Sequence, residues 1–119
     1  MAAWDCPMAV VETETFLASA ARLGISESRR NAMIIYLAGN PDAGVIVPKT
    51  GGVRKLRWAL PGRGKSGGAR VIYYYHNESI PLYALDIYAK NQKANLSAAE
   101  KKAARTMIAA IVDEHDRRK

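Results

Sequence analysis

Cysteine is almost missing from this 119-residue chain. Cys6 stands alone, so neither an internal disulfide nor a cysteine-based zinc site can form. Histidine is nearly as scarce, and His76 and His115 lie far apart. No apolar run approaches the roughly 18 residues that a membrane crossing needs, and no hydrophobic stretch follows a basic start as in a secretory leader. The chain therefore reads as a soluble cytoplasmic protein, and the sequon Asn77-Glu78-Ser79 carries no meaning without secretion. Repeats, low-complexity segments and internal boundaries are also lacking, which makes residues 1–119 a single domain. Nothing calls for a cofactor or a metal.

What is present is positive charge, and it is concentrated. The net charge is +7, from 18 basic and 11 acidic side chains. Residues 1–48 sum to −2, residues 49–93 to +7 and residues 94–119 to +2. A field gathered in one block favours an anionic partner, with nucleic acid the first expectation. A hydrophobic content of 49% with 24% charged residues is that of a globular domain.

Met8 to Glu12 is a short valine-rich strand. Thr13 caps a helix running to about Leu23, with Phe16, Leu17, Ala20, Ala21 and Leu23 as its apolar stripe, and Gly24 stops it. Ser26 caps a second helix, Glu27 to Leu37, closed by Gly39-Asn40-Pro41. An extended connection follows, with a brief strand at Val45 to Val47. Val53 to Leu60 alternates polar and apolar residues, the period of a half-buried strand. Arg70 to Tyr75 is β-branched and aromatic, as strands prefer. Ile80 to Ala89 makes a further strand, expected to place Tyr83, Leu85 and Ile87 on one face and Ala84, Asp86, Tyr88 and Lys90 on the other. Ser97-Ala98-Ala99-Glu100 is a capping box opening a last helix, with Ala103, Met107, Ala110 and Ile111 expected on its buried stripe. The fold class is α+β: a small antiparallel sheet in the order β-α-α-β-β-β-α, with the helices packed on one face and a cationic face left open.

That cationic face is the candidate site. In-register pairing of the two central strands puts Lys55, Arg57, Arg70 and Tyr74 together, opposite Leu56, Trp58, Leu60, Val71, Tyr73 and Tyr75. Arg63 and Lys65 on the connecting turn, Tyr88, and Lys90 after the last strand join the set. Cations neutralise phosphates and aromatics give bases a stacking surface. Asp86 is the one acid expected there, able to orient an arginine. Ala59 to Ser66 fits a relaxed phosphate-loop spacing, but a strand follows where that motif needs a helix, so nucleotide hydrolysis is not implied.

Three blocks carry a family resemblance. Gly51-Gly52-Val53-Arg54-Lys55-Leu56-Arg57, Gly62 to Tyr74 (GRGKSGGARVIYY) and Leu85 to Asn91 (LDIYAKN) resemble the HigB branch of the RelE/ParE toxin superfamily. The likeness runs from Gly51 through the final helix, and the N-terminal half agrees in layout. It implies ribosome-dependent cleavage of mRNA, silenced by a cognate antitoxin, here a helix-turn-helix protein of the HigA kind, with ribosome and mRNA as further partners. It implies that Lys55 and Arg57 face the scissile phosphate and that Arg70 stabilises its developing charge. Lys90 or Lys93 supplies the further cation near Asn91. Arg54 and Lys93 join Arg63, Lys65, Tyr74 and Asn91 as RNA or ribosome contacts. The resemblance also implies a catalytic tyrosine in the C-terminal segment, where this chain departs from the family in having no tyrosine after Tyr88.

Metal-free RNA cleavage uses the ribose 2′-hydroxyl as nucleophile and needs a base, an acid and charge stabilisation. Crowded like charges lower a lysine pKa, and neighbouring cations lower that of a tyrosine. Lys55 is thus the candidate base or proton relay, with Tyr88 the alternative. Two other readings fit a basic toxin-like fold: a ParE-like, non-enzymatic inhibitor of DNA gyrase, and a plain nucleic-acid-binding module.

Overall fold

The computed structural model describes residues 8–60, 68–93 and 95–118. Chain order is β1 (Val10–Glu12), α1 (Glu14–Arg22), α2 (Glu27–Gly39), β2 (Val45–Ile46), β3 (Val53–Trp58), β4 (Ala69–Tyr74), β5 (Leu82–Ala89) and α3 (Ala98–Arg117). The expected capping residues work as read. Thr13, Ser26 and Ser97 each accept a hydrogen bond from the backbone amide three residues on, and Glu100 completes the box by accepting from Ser97.

The five strands form one sheet in the order β1-β5-β4-β3-β2. The β3-β4-β5 meander is antiparallel as expected, but β1 lies parallel to β5, so the sheet is mixed. The α+β class stands; packing of helices on one face only does not. One sheet face carries Val71, Tyr73, Leu82, Ala84 and Ile87 into a core with Phe16 and Ala20 of α1 and Met33 and Leu37 of α2. The other face carries Val53, Ile72, Tyr74, Leu85 and Tyr88 against Ile108 of α3. The physical reason is that the second face is itself half apolar. Val53, Ile72 and Tyr74 share it with Lys55, Arg57 and Arg70, and burying them requires a cover.

Two pattern readings are corrected for identifiable reasons. A register shift lies between Ile72 and Tyr73, where Ile72 pairs Asp86 but Tyr73 pairs Ala84. Leu85 is the additional residue of this bulge, so Tyr83 and Leu85 join the α3 side while Ala84 sides with Ile87. On α3 the covered stripe is Ala104, Ile108 and Val112, one residue on from the expected set, and Met107 is 41% exposed. An alanine-rich helix offers apolar residues on several faces, so periodicity alone does not choose among them.

The turn before β3 secures α3. Gly51 and Gly52 have φ of +80° and +116°, values open to glycine, and Arg105 of α3 donates to the Lys49 carbonyl beside them. Inside the turn the buried Thr50 hydroxyl donates to the Val47 carbonyl at 2.6 Å and accepts from the Val53 amide at 3.0 Å. Thr50→Val keeps the shape and orphans both groups, so thermal unfolding is expected to show a loss of about 2 kcal/mol.

Candidate functional site

The β3-β4 register places Arg57 directly opposite Arg70, and the β4-β5 register places Arg70 directly opposite Tyr88. Opposed residues of neighbouring antiparallel strands point to the same face with Cβ atoms about 5 Å apart. The next row along the strands is Lys55, Ile72 and Asp86; the third is Val53, Tyr74 and Tyr83. Polarity thus falls from the β3-β4 hairpin end, where the arginines sit, toward the end covered by α3.

Each member of the first row is held differently. Arg57 is exposed, whereas Arg70 is only 9% exposed, and its Nη1 donates to the Ala69 carbonyl at 3.2 Å. Tyr88 is buried, and that burial pushes its phenol above the ordinary tyrosine range. Arg70 pulls the other way without prevailing, and Glu100 and Asp86 add to the rise. The expectation that cations would lower the Tyr88 pKa is therefore reversed, and the phenol is suited to donating a proton rather than taking one. Lys93 lies over the Tyr88 ring, 4.8 Å from its centre, and is ion-paired with Glu100. One row in, Lys55 donates to Asn95 Oδ1 at 3.2 Å.

The remaining expected residues separate. Lys90 and Asn91 are exposed in the turn after β5, and the Lys90 amide donates to the Gly68 carbonyl at 3.1 Å, which ties that turn to the start of β4. Arg54 points to the opposite sheet face, where its Nη1 donates to the carbonyls of Gly44 at 2.8 Å and Asp42 at 3.2 Å; it braces a loop. Tyr74 is 4% exposed beneath α3, with its hydroxyl 2.7 Å from His76 Nδ1, so its ring offers no stacking surface. Arg63 and Lys65 lie outside the described residues. Asp86 Oδ1 accepts from the Ile87 amide at 2.8 Å, and among the described residues it is ion-paired with no arginine.

Sequence patterning did not anticipate the α1 contribution. Ser19 and Arg22, on the side of α1 turned toward the end of β5, line a groove with Asp86, Tyr88, Gln92 and Lys93. Their separation of three residues on one helix was the available signal. Among the described residues no cluster of His, Cys, Asp or Glu could hold a metal ion, and no helix is long and apolar enough to cross a membrane.

Residues 10–118 match the family model described as "RelE toxin of RelE / RelB toxin-antitoxin system". The chain belongs to the RelE toxin family. As a RelE-family toxin it has a cognate antitoxin as its implied partner, and the family is one of endoribonucleases.

The Glu100 link in this RelE-family site yields a pH prediction. The Lys93 ammonium, and then the Ser97 amide, hold the Glu100 carboxyl below its ordinary value of 4.5. A depressed carboxylate contributes stability that is present above the unfolded value and lost as pH falls through the folded one. Stability measured from pH 6 downward is expected to fall below about pH 4.5, and Glu100→Gln is expected to flatten that part of the curve.

Proposed function

We propose that this chain is a ribosome-dependent mRNA endonuclease of the HigB-like branch, acting in the cytoplasm and silenced by a helix-turn-helix antitoxin of the HigA kind. The observation that carries the reading is the in-register Arg57–Arg70 pair with Tyr88 beside it. Two guanidinium groups on adjacent strands can grip the non-bridging oxygens of one phosphodiester, with a geometry that a single lysine does not offer.

In the reaction the ribose 2′-oxygen attacks phosphorus, its proton passing to a base. The bond to the 5′-oxygen breaks, and that oxygen takes up a proton. The products are a 2′,3′-cyclic phosphate and a 5′-hydroxyl. Arg57 and Arg70 stabilise the charge that builds on the pentavalent phosphorus. Tyr88, whose burial favours the protonated phenol, is the candidate donor to the departing 5′-oxygen. Lys55, one row in, is the candidate proton relay on the 2′-oxygen side, and Lys90 adds positive charge at the rim.

A proton acceptor of ordinary strength is missing from this set, which favours a substrate already bent into line. A ribosome holding mRNA in the decoding site would supply that orientation, worth several kcal/mol of the barrier. Mapping 5′ ends of cellular mRNA after induction tests the reading. In-frame breaks bearing 5′-hydroxyls are the expected result. Intact transcripts accompanied by DNA damage would replace it with gyrase inhibition, and intact transcripts without damage with simple nucleic-acid binding.

A further inference from the structure

The two candidate proton-handling groups, Tyr88 on β5 and Lys55 on β3, are both reached from one short segment, the junction between β5 and α3. Lys93 lies over the Tyr88 ring, 4.8 Å from its centre, and Asn95 Oδ1 accepts from Lys55 at 3.2 Å. Glu100, in the first turn of α3, ties this junction down by pairing with Lys93. We propose that Glu100 is a positioning residue for the candidate site: acting through Lys93, it fixes the plane of the Tyr88 ring beside the Arg57–Arg70 pair. The assignment rests on the nuclease reading for the role of Tyr88, but not for the tether itself.

The Glu100 carboxylate is anchored at both oxygens. Oε1 accepts from the Ser97 amide at 2.8 Å, and the Ser97 hydroxyl in turn accepts from the Glu100 amide at 3.1 Å. Oε2 accepts from the Lys93 ammonium. A carboxylate locked in a capping box cannot follow a mobile lysine, so it is the lysine that is brought to rest. The backbone places that lysine within reach: the Gln92 amide donates to the Ala89 carbonyl at 3.0 Å, and the Lys93 amide donates to the same carbonyl at 3.4 Å. A long, well-hydrated side chain keeps to a ring face only when a second anchor offsets the rotamer freedom it gives up. Glu100 is that anchor.

The ion pair is partly open to water, so as a stabiliser it is worth little. Its effect is directional. The O–H bond of a phenol lies in the plane of the ring, and a ring face held against Lys93 confines the proton to that plane. Tyr88 stands opposite Arg70, which stands opposite Arg57, so the ring plane decides whether the proton meets an oxygen of a phosphate gripped by the two arginines. With its ammonium engaged by Glu100 and by the ring, Lys93 acts on a substrate through Tyr88.

The test uses the full chain and two readouts: the NMR resonance of the Lys93 εCH2 group, and the kinetics of cleavage of ribosome-bound mRNA. Ring current shifts a lysine held over an aromatic face upfield, and Lys93 is expected to show that shift. Glutamine also serves at the third position of a capping box, so Glu100→Gln keeps the start of α3 while dissolving the ion pair. It is expected to return the Lys93 resonance to its random-coil position and to lower kcat about tenfold with KM unchanged. Lys93→Met is expected to lose the same factor, and the double variant no more than either single one. Lys93→Arg keeps both the pairing charge and the ring contact, and is expected to retain wild-type kcat. An upfield shift that survives Glu100→Gln, or an unchanged kcat, would overturn the assignment. So would a rise in KM alone, which would make Lys93 a direct contact to RNA. Wild-type protein that leaves ribosome-bound mRNA intact removes the nuclease reading, and the Lys93 resonance then decides the tether by itself.

Discussion

Arg57→Ala and Arg70→Ala are each expected to lower cleavage of ribosome-bound mRNA by about 100- to 1000-fold, the usual cost of removing one preorganised electrostatic donor from a transition state. The two differ in what they do to the fold. Arg57 is exposed, so its loss leaves the melting temperature in place. Arg70 is buried, and its truncation leaves a gap beside Tyr88, so Arg70→Lys is the companion variant. Lysine keeps the charge but not the planar fork, and is expected to recover stability with little of the activity. Because both arginines act on one phosphate, the double variant is expected to lose scarcely more than either single one. Cleavage within tenfold of wild type in folded Arg57→Ala and Arg70→Lys proteins would remove both residues from the chemistry.

Gly68→Ala is expected to disable the protein from a position that touches no substrate. A Cβ at Gly68 would lie 2.9 Å from the Trp58 carbonyl oxygen and 3.7 Å from Ala59 Cα, both backbone atoms that no rotamer change can move. Trp58 pairs Ala69, one step from the Arg57–Arg70 pair, so relief of the clash must spread β3 from β4 beside the two arginines. Overpacking of this kind costs about 1–3 kcal/mol, which calorimetry would register as a drop of several degrees. Cleavage is expected to fall by at least tenfold even well below the melting temperature, since a misplacement of about 1 Å can cost on the order of 100-fold. An unchanged melting temperature and full activity would show that the two strands do not depend on this close approach.

The sequence made the central pairing legible because polar and apolar residues alternate in β3, and β4 is β-branched and aromatic: Lys55 and Arg57 lie on one face, and Arg70 follows from the shortest register. It made the caps legible because Thr13, Ser26 and Ser97 act through local hydrogen bonds that require no tertiary context. The bulge at Leu85 was not legible, since one additional residue leaves no trace in a run as apolar as Leu82 to Ala89. Nor was the burial of Tyr74. That depends on α3 crossing the same face, and an alanine-rich helix does not advertise which side it will lay down. Arg54 was misleading for a simpler reason. Adjacent basic residues on a strand point to opposite faces, so a basic run in sequence becomes a divided pair in space. The Arg22–Asp86–Gln92 groove joins three separate segments, and no local pattern brings them together.

Setting two guanidinium groups face to face across a strand boundary has a thermodynamic corollary. Like charges so placed oppose one another, and the empty sheet bears that repulsion continually. Any polyanion laid over the pair relieves it, so engagement and robustness rise together. A poison constructed in this way is sturdiest in the grip of its prey or of an acidic guardian, and most perishable when it circulates alone.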